Sequence, residues 1–160
     1  MTSSDSAVVA HKVSHTYGRA PALDQVSFEI PGGTFFGLLG PNGSGKTTLF
    51  RLLASLLPVQ SGTLTVGGHS VATNPAEVRR LLGVTFQSPA VDPRLTVTEN
   101  LKCHGQIYGL GGAALKQRTN MLLDRFELSD RSRALVGSLS GGLRRRVELA
   151  KGLLHSPRVL

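Results

Sequence analysis

Apolar residues in the first half of the chain fall into short runs that are separated by Gly and Pro. Such runs, rich in Val, Ile, Phe and Thr and closed by turn-forming residues, are typical of β-strands. The predicted strands are Val8–Thr16, Val26–Ile30 before the turn at Pro31–Gly33, Thr34–Leu39, Thr63–Val66 before Gly67–Gly68, and Val84–Phe86.

In the other parts of the chain, the apolar residues recur mostly at helical spacing. A period of 3.6 predicts a helix that begins at the glycine-rich loop before Leu49 and ends at Pro58, and a short helix follows Pro75. From about Thr96 the whole pattern becomes helical. Gly109–Gly112 predicts a break between helices, because consecutive glycines are poor helix formers. Leu101 lies in one candidate helix. The apolar faces predicted for the other helices are Leu49, Leu52, Leu53 and Leu56; Leu115, Thr119, Leu122 and Phe126; and Leu143, Val147, Ala150 and Leu154.

Between the apolar run Thr34–Leu39 and the first helix lies a glycine-rich stretch with a lysine at its end. It fits G-x-x-x-x-G-K-[ST], the Walker A pattern, in which backbone N–H groups surround phosphates, the lysine reaches the β/γ-phosphates and the hydroxyl binds Mg²⁺. A Gly-rich turn with a solvent-facing lysine is the alternative. The predicted phosphate ligands are Gly40, Pro41, Asn42, Gly43, Ser44, Gly45, Lys46, Thr47 and Thr48.

About a hundred residues later, Leu139–Leu143 reads Leu-Ser-Gly-Gly-Leu at the start of a predicted helix. Two glycines allow close approach of a phosphate, Ser140 can cap the helix or donate to that phosphate, and the helix adds its positive end. An ordinary serine-capped helix start is the alternative.

With both motifs, the chain resembles the nucleotide-binding domain of ABC transporters from Val8 to Leu160. The resemblance implies an α/β fold: a P-loop NTPase core with ABC-type N-terminal strands, a helical subdomain and an incomplete central sheet. We expect the core over residues 1–95, with the Walker A and Q-loop motifs, the helical subdomain with the signature motif over 96–155, and the start of a Walker B strand over 156–160.

The resemblance also assigns roles to single residues. Tyr17 matches the aromatic residue that stacks on adenine, and Gln87 matches the Q-loop glutamine that approaches Mg²⁺ and the attacking water. Thr47 and Gln87 would therefore be the metal-binding residues. Ser140, Gly141 and Gly142 match the signature motif, which meets the nucleotide of a second subunit in a head-to-tail homodimer.

Leu143 and the arginines Arg144–Arg146 resemble the branch of the family that serves drug, polysaccharide and haem exporters. The implied function is the ATP-binding subunit of an exporter, with a transmembrane permease as partner and a cytoplasmic, membrane-peripheral location. A non-transport ABC ATPase that acts on ribosomes or nucleic acid is the alternative, and an inactive fragment is a third possibility.

Composition favours a domain with one hydrophobic core, because 40% of the 160 residues are hydrophobic and 18% are charged. Cys103 is the single cysteine, which excludes an internal disulfide. The net charge is +8, of which +6 lies between Gly111 and Leu160, with 10 basic and 4 acidic residues. Because Phe126 is the single aromatic residue among these charges, too few to stack a run of bases, we expect no nucleic-acid partner.

The resemblance predicts that Ser156–Leu160 leads into the Walker B strand, so that the Walker B acid and the switch histidine fall outside this sequence. Because P-loop chemistry needs an aspartate on Mg²⁺, we expect these 160 residues alone to be poor at hydrolysis. We also expect Thr34–Leu39 to lie along an unpaired sheet edge.

Overall fold

The computed structural model describes residues 6–85 and 90–160. The chain divides into two compact units, one comprising Met1–Leu82 with Val159 and the other Gly83–Arg158 with Leu160. Within the described residues, no helix has the length and apolar character that a membrane span requires.

The first unit contains a four-stranded antiparallel sheet. Its strands are β1 (Ser6–Tyr17), β2 (Ala20–Pro31), β3 (Ser61–Val66) and β4 (His69–Ser70), in the spatial order β2-β1-β3-β4. Gly18, with φ 60°, turns the chain between β1 and β2. The predicted strands at Val8–Thr16, Val26–Ile30 and Thr63–Val66 are confirmed.

Two helices belong to the same unit, α1 (Lys46–Leu53) and α2 (Pro75–Leu81). Pro75 stands at the start of α2, where its missing N–H is not needed. Buried apolar residues of β1, β2, β3, α1 and α2 pack together in one core. Its fully buried members include Val13, Leu52, Val66 and Val78.

The leucine helix is shorter than predicted. Ser55 adopts φ 54°, and the N–H groups of Ser55 and Leu56 bond back to the carbonyls of Leu52 and Arg51. This is the Schellman arrangement that closes a helix, here with a serine where glycine is usual. Leu56 therefore lies outside α1 and is 57% exposed, so the prediction that it joins the buried stripe is wrong.

The predicted strand at Thr34–Leu39 does not form. Phe35 and Leu39 are almost wholly exposed, and the four described strands pair only with one another, which leaves this run without a hydrogen-bonded neighbour. Val84 and Thr85 form no strand either, and Phe86 lies outside the described residues. Val159 makes a single parallel bridge to Leu82.

The second unit is helical, as predicted. It contains α3 (Val97–Ile107), α4 (Gly112–Arg125) and α5 (Gly141–Leu153), with single 3₁₀ turns at Ser129–Arg131 and Val136–Ser138. The helical conformation is interrupted between α3 and α4, where Gly109 adopts φ 78°, within the predicted break. The apolar faces predicted for α4 and α5 are confirmed, because they pack together in one core with Val97, Leu101 and Leu128.

Candidate nucleotide-binding site

The loop before α1 turns tightly enough to present its backbone. Ser44 donates its N–H to the Pro41 carbonyl at 3.3 Å, and Gly43 and Gly45 both adopt φ 84°. Residues with a side chain rarely adopt this left-handed backbone conformation. The two glycines therefore allow a loop geometry that would be strained with other residues at these positions. α1 then begins at Lys46.

Gly45 is required for a second reason. A Cβ atom built there would lie 2.3 Å from the Ala22 carbonyl oxygen and 2.7 Å from Leu23 Cδ2. The loop backbone therefore rests directly on β2, and nothing larger than a hydrogen fits at this contact. Strand β2 thus fixes where the loop turns into α1.

The Lys46 side chain folds back over the loop. Its Nζ atom donates to the carbonyl oxygens of Gly40 at 2.7 Å and Pro41 at 2.6 Å, and to Ser44 Oγ at 3.3 Å. These partners hold the ammonium group over the loop, and carbonyl oxygens are weaker partners for a cation than anionic oxygens. A phosphate group can therefore compete for the same ammonium.

The start of α1 fits an anion. Its N-cap is Gly45, no side chain caps it and its first turn contains no acidic residue, so its first N–H groups are directed at the loop without intrahelical partners. These donors and the helix dipole favour negative charge. Thr47 is exposed, whereas the side chain of Thr48 is buried, so Thr48 can offer only its backbone N–H to a ligand.

Tyr17 lies at the end of β1, where it pairs with Ala20 across the turn. Its ring is 46% exposed and meets the His15 ring edge-on, with centroids 4.9 Å apart. Ala22, on which Gly45 rests, lies two residues beyond Ala20 in β2. The structure therefore places Tyr17 at the same end of the hairpin as the loop.

The serine and glycines of the second motif open α5. Ser140 is the N-cap, and its Oγ accepts the Leu143 N–H at 3.3 Å, which is the first of the two roles that the sequence allowed for this serine. Gly141 and Gly142 are exposed, and a Cβ at either position would meet nothing within 4 Å. The first turn of α5 also lacks an acidic residue. This helix start is therefore open to an approaching anion.

Gln87 lies outside the described residues, so its predicted role stays a prediction. In the stretches 6–85 and 90–160, no three His, Cys, Asp or Glu side chains come together as metal ligands. Thr47 is the described member of the predicted metal pair.

One pair of hydrogen bonds in the second unit was not predicted from the sequence. Glu148 and Lys151 of α5 both bond to the backbone of Ala90, three residues after Gln87. Their i, i+3 spacing places them on one helix face, but that spacing alone does not indicate which backbone they reach.

A glycine loop resting on a strand, a lysine over it and an uncapped helix start are the features typical of the P-loop class. The second glycine motif specifies the family more narrowly. Residues 23–160 match the family model described as ABC transporter, and the chain belongs to this family.

Curated relatives support this assignment. The chain is 42% identical over 161 residues to the doxorubicin resistance ATP-binding protein DrrA of Mycobacterium tuberculosis, covering 99% of this chain and 49% of that protein. It is 40% identical over 157 residues to the Nod factor export ATP-binding protein I of Sinorhizobium fredii, covering 98% and 46%. The chain thus spans about half the length of these relatives.

Solved structures agree on the fold. One, titled as the ATP binding subunit of an ABC transporter, is 27% identical with a TM-score of 0.83, and the match covers 94% of this chain and 62% of that one. A second, cbiO1 from Clostridium perfringens, is 23% identical with a TM-score of 0.85, and the match covers 96% and 63%. The second likeness concerns the fold alone.

Proposed function

We propose that this chain binds Mg-ATP and serves as part of the ATP-binding subunit of an ABC exporter. The arrangement of Lys46 over the loop that opens α1 carries the proposal, because it combines a cation with free helix N–H groups at one point. The relatives named for drug resistance and for Nod factor export support the exporter assignment.

In this proposal, Lys46 and the backbone N–H groups of residues 43–48 hold the phosphates. The Thr47 hydroxyl binds Mg²⁺ together with Gln87, which also orients the attacking water, and Tyr17 stacks on the adenine ring. Bound ATP supplies the free energy of phosphoanhydride cleavage. The protein's own contribution is to bind, orient and neutralise charge.

Ser140, Gly141 and Gly142 then face the nucleotide of a second copy in a head-to-tail dimer. Their exposure supports this role, because a site completed by another subunit has to remain accessible in the single chain. The permease partner and the cytoplasmic face of the membrane follow from the exporter proposal. Co-purification of the natural protein with an integral membrane subunit would test both.

The direct test is Lys46→Ala with Arg51→Ala as a matched control. Both substitutions remove one positive charge from α1, but Arg51 lies in its last turn, away from the loop. A charge-assisted hydrogen bond contributes about 1.5–3 kcal/mol, so titration with fluorescent Mg-ATP should show Kd raised roughly 10- to 150-fold in Lys46→Ala. Arg51→Ala should stay within about twofold of the original affinity.

If folded Lys46→Ala binds Mg-ATP as tightly as the unchanged chain does, the phosphate-binding role of this loop is wrong. Circular dichroism of each variant establishes that it is folded.

A further inference from the structure

The last residues of β1, which end at Tyr17, are only partly held by strand pairing. On one side, β1 pairs with β3 as far as Ser14, which lies opposite Ser61. On the other side, Thr16 lies opposite Pro21 of β2, and a proline has no N–H to donate to the neighbouring strand. The segment that carries the Tyr17 ring therefore has weaker backbone support than the middle of the strand.

The Gln60 side chain supplies further support, from the position just before β3. Its Oε1 atom accepts hydrogen bonds from the Thr16 N–H at 2.7 Å and from Thr16 Oγ1 at 3.3 Å. Its Nε2 atom donates to the Thr16 carbonyl oxygen at 3.1 Å. An amide that accepts from and donates to the backbone of one residue takes the place of a neighbouring strand. Gln60 therefore fixes the backbone immediately before Tyr17.

The His15 side chain contacts the Tyr17 ring itself. The two residues are two positions apart in β1, so their side chains lie on the same face of the sheet. Their ring centroids are 4.9 Å apart in an edge-on arrangement, in which the edge of one ring is attracted to the face of the other. Because Tyr17 is 46% exposed, this contact leaves part of its ring open to a ligand.

Core packing alone does not account for a histidine at position 15. The residue is only 3% exposed, and its Nδ1 atom is buried with no hydrogen-bond partner among the residues that the structure describes. A buried polar atom without a partner lowers stability, and an aliphatic residue such as the nearby Val13 would avoid that cost. The ring contact with Tyr17 is an interaction that an aliphatic residue could not make.

We infer that His15 and Gln60 are positioning residues for Tyr17, which hold its backbone and its ring in the conformation that stacks on a nucleotide base. The inference rests on the proposed function, because it takes Tyr17 as the base-stacking residue. Both residues act through Tyr17 and not by touching the nucleotide. A ring that is already held in its binding conformation loses less freedom when the ligand binds, and this strengthens binding.

The experiment is a double-mutant cycle measured by titration with fluorescent Mg-ATP. His15→Leu keeps an apolar side chain but removes the ring, and Gln60→Ala removes the amide. Each should raise the Kd for Mg-ATP roughly 2- to 12-fold, the range that corresponds to the energy of one aromatic pair or one hydrogen bond. In a Tyr17→Ala background, neither substitution should change the Kd, because the ring that they position is absent.

Matched controls separate positioning of Tyr17 from general damage. His11→Leu makes the same substitution at an exposed position of β1, and Gln117→Ala removes an exposed glutamine from α4, so both should keep the original affinity. His15→Phe, which restores an aromatic ring, should also keep it. Mg-tripolyphosphate, which has three phosphates but no base, should bind to His15→Leu, Gln60→Ala and the unchanged chain equally well in isothermal titration calorimetry.

The midpoint of urea unfolding provides an independent measurement for His15. If this residue served only to pack the core, His15→Leu would lower the midpoint. Because its Nδ1 atom is buried without a partner, we expect His15→Leu to lose affinity for Mg-ATP with no fall in the midpoint. Gln60 is exposed, so Gln60→Ala tests the inference even if His15→Leu does not fold.

Unchanged Mg-ATP affinity in folded Gln60→Ala or His15→Leu overturns the inference, as does an equal loss of affinity with and without the Tyr17 ring. If Tyr17→Ala binds Mg-ATP as tightly as the unchanged chain, the base-stacking role is wrong and the inference fails, but the phosphate-binding role of the loop stands. Absence of Mg-ATP binding by the unchanged chain overturns the proposed function, and the inference with it.

Discussion

Replacing Gly45 by alanine tests whether the loop geometry depends on contact with β2. Gly43 and Gly45 share φ 84° and belong to the same loop, but a Cβ at Gly43 would meet nothing within 4 Å. A Cβ at Gly45 would lie 2.3 Å from the Ala22 carbonyl oxygen, closer than real Cβ atoms approach. Both substitutions therefore place a side chain at a positive φ, but only Gly45→Ala also brings a Cβ atom into a steric clash.

The magnitudes separate these two costs. A left-handed conformation costs a non-glycine residue roughly 1–2 kcal/mol, and this applies to both variants. Overpacking that forces the backbone to shift adds about 1–3 kcal/mol, and this applies to Gly45→Ala alone. We therefore expect Gly43→Ala to lose about 1–2 kcal/mol of unfolding free energy and Gly45→Ala about 2–5 kcal/mol.

Urea unfolding without nucleotide, followed by circular dichroism, measures both losses through the shift of the midpoint at constant slope. Leaving out nucleotide keeps effects on binding out of the comparison. Equal losses for the two variants would refute the reasoning, because they would show that the approach of the loop to Ala22 imposes no steric limit at position 45.

Two further predictions concern single aromatic side chains. Tyr17→Ala should weaken Mg-ATP binding by about 1–3 kcal/mol in the fluorescent titration while Tyr17→Phe retains it, because stacking uses the ring face; a loss in Tyr17→Phe would contradict this. Burial, with the charges of Lys151 and His155, lowers the pKa of His104 to about 4. Because the unfolded imidazole binds protons below about pH 6.5, urea unfolding should show stability falling from there to pH 4, and His104→Gln should flatten this fall.

Local features of the amino-acid sequence were sufficient to predict much of the molecule. Strands β1 and β3, the second half of β2, the capped start of α5 and the apolar face from Leu143 to Leu154 depend on residues within a few positions of one another. The glycine loop could likewise be placed, because its φ requirements and its lysine are encoded in eight consecutive residues. Periodicity and turn chemistry act over that range.

Other features depended on neighbours that are distant in the chain. Thr34–Leu39 has the composition of a strand, but a strand forms only where another pairs with it, and none of the described strands does. The sequence indicates that Gly45 lies in a turn, but nothing in it indicates that Gly45 contacts Ala22. Glu148 and Lys151 lie 58 and 61 residues from Ala90, and only the packing of the helical unit brings that backbone within reach of α5.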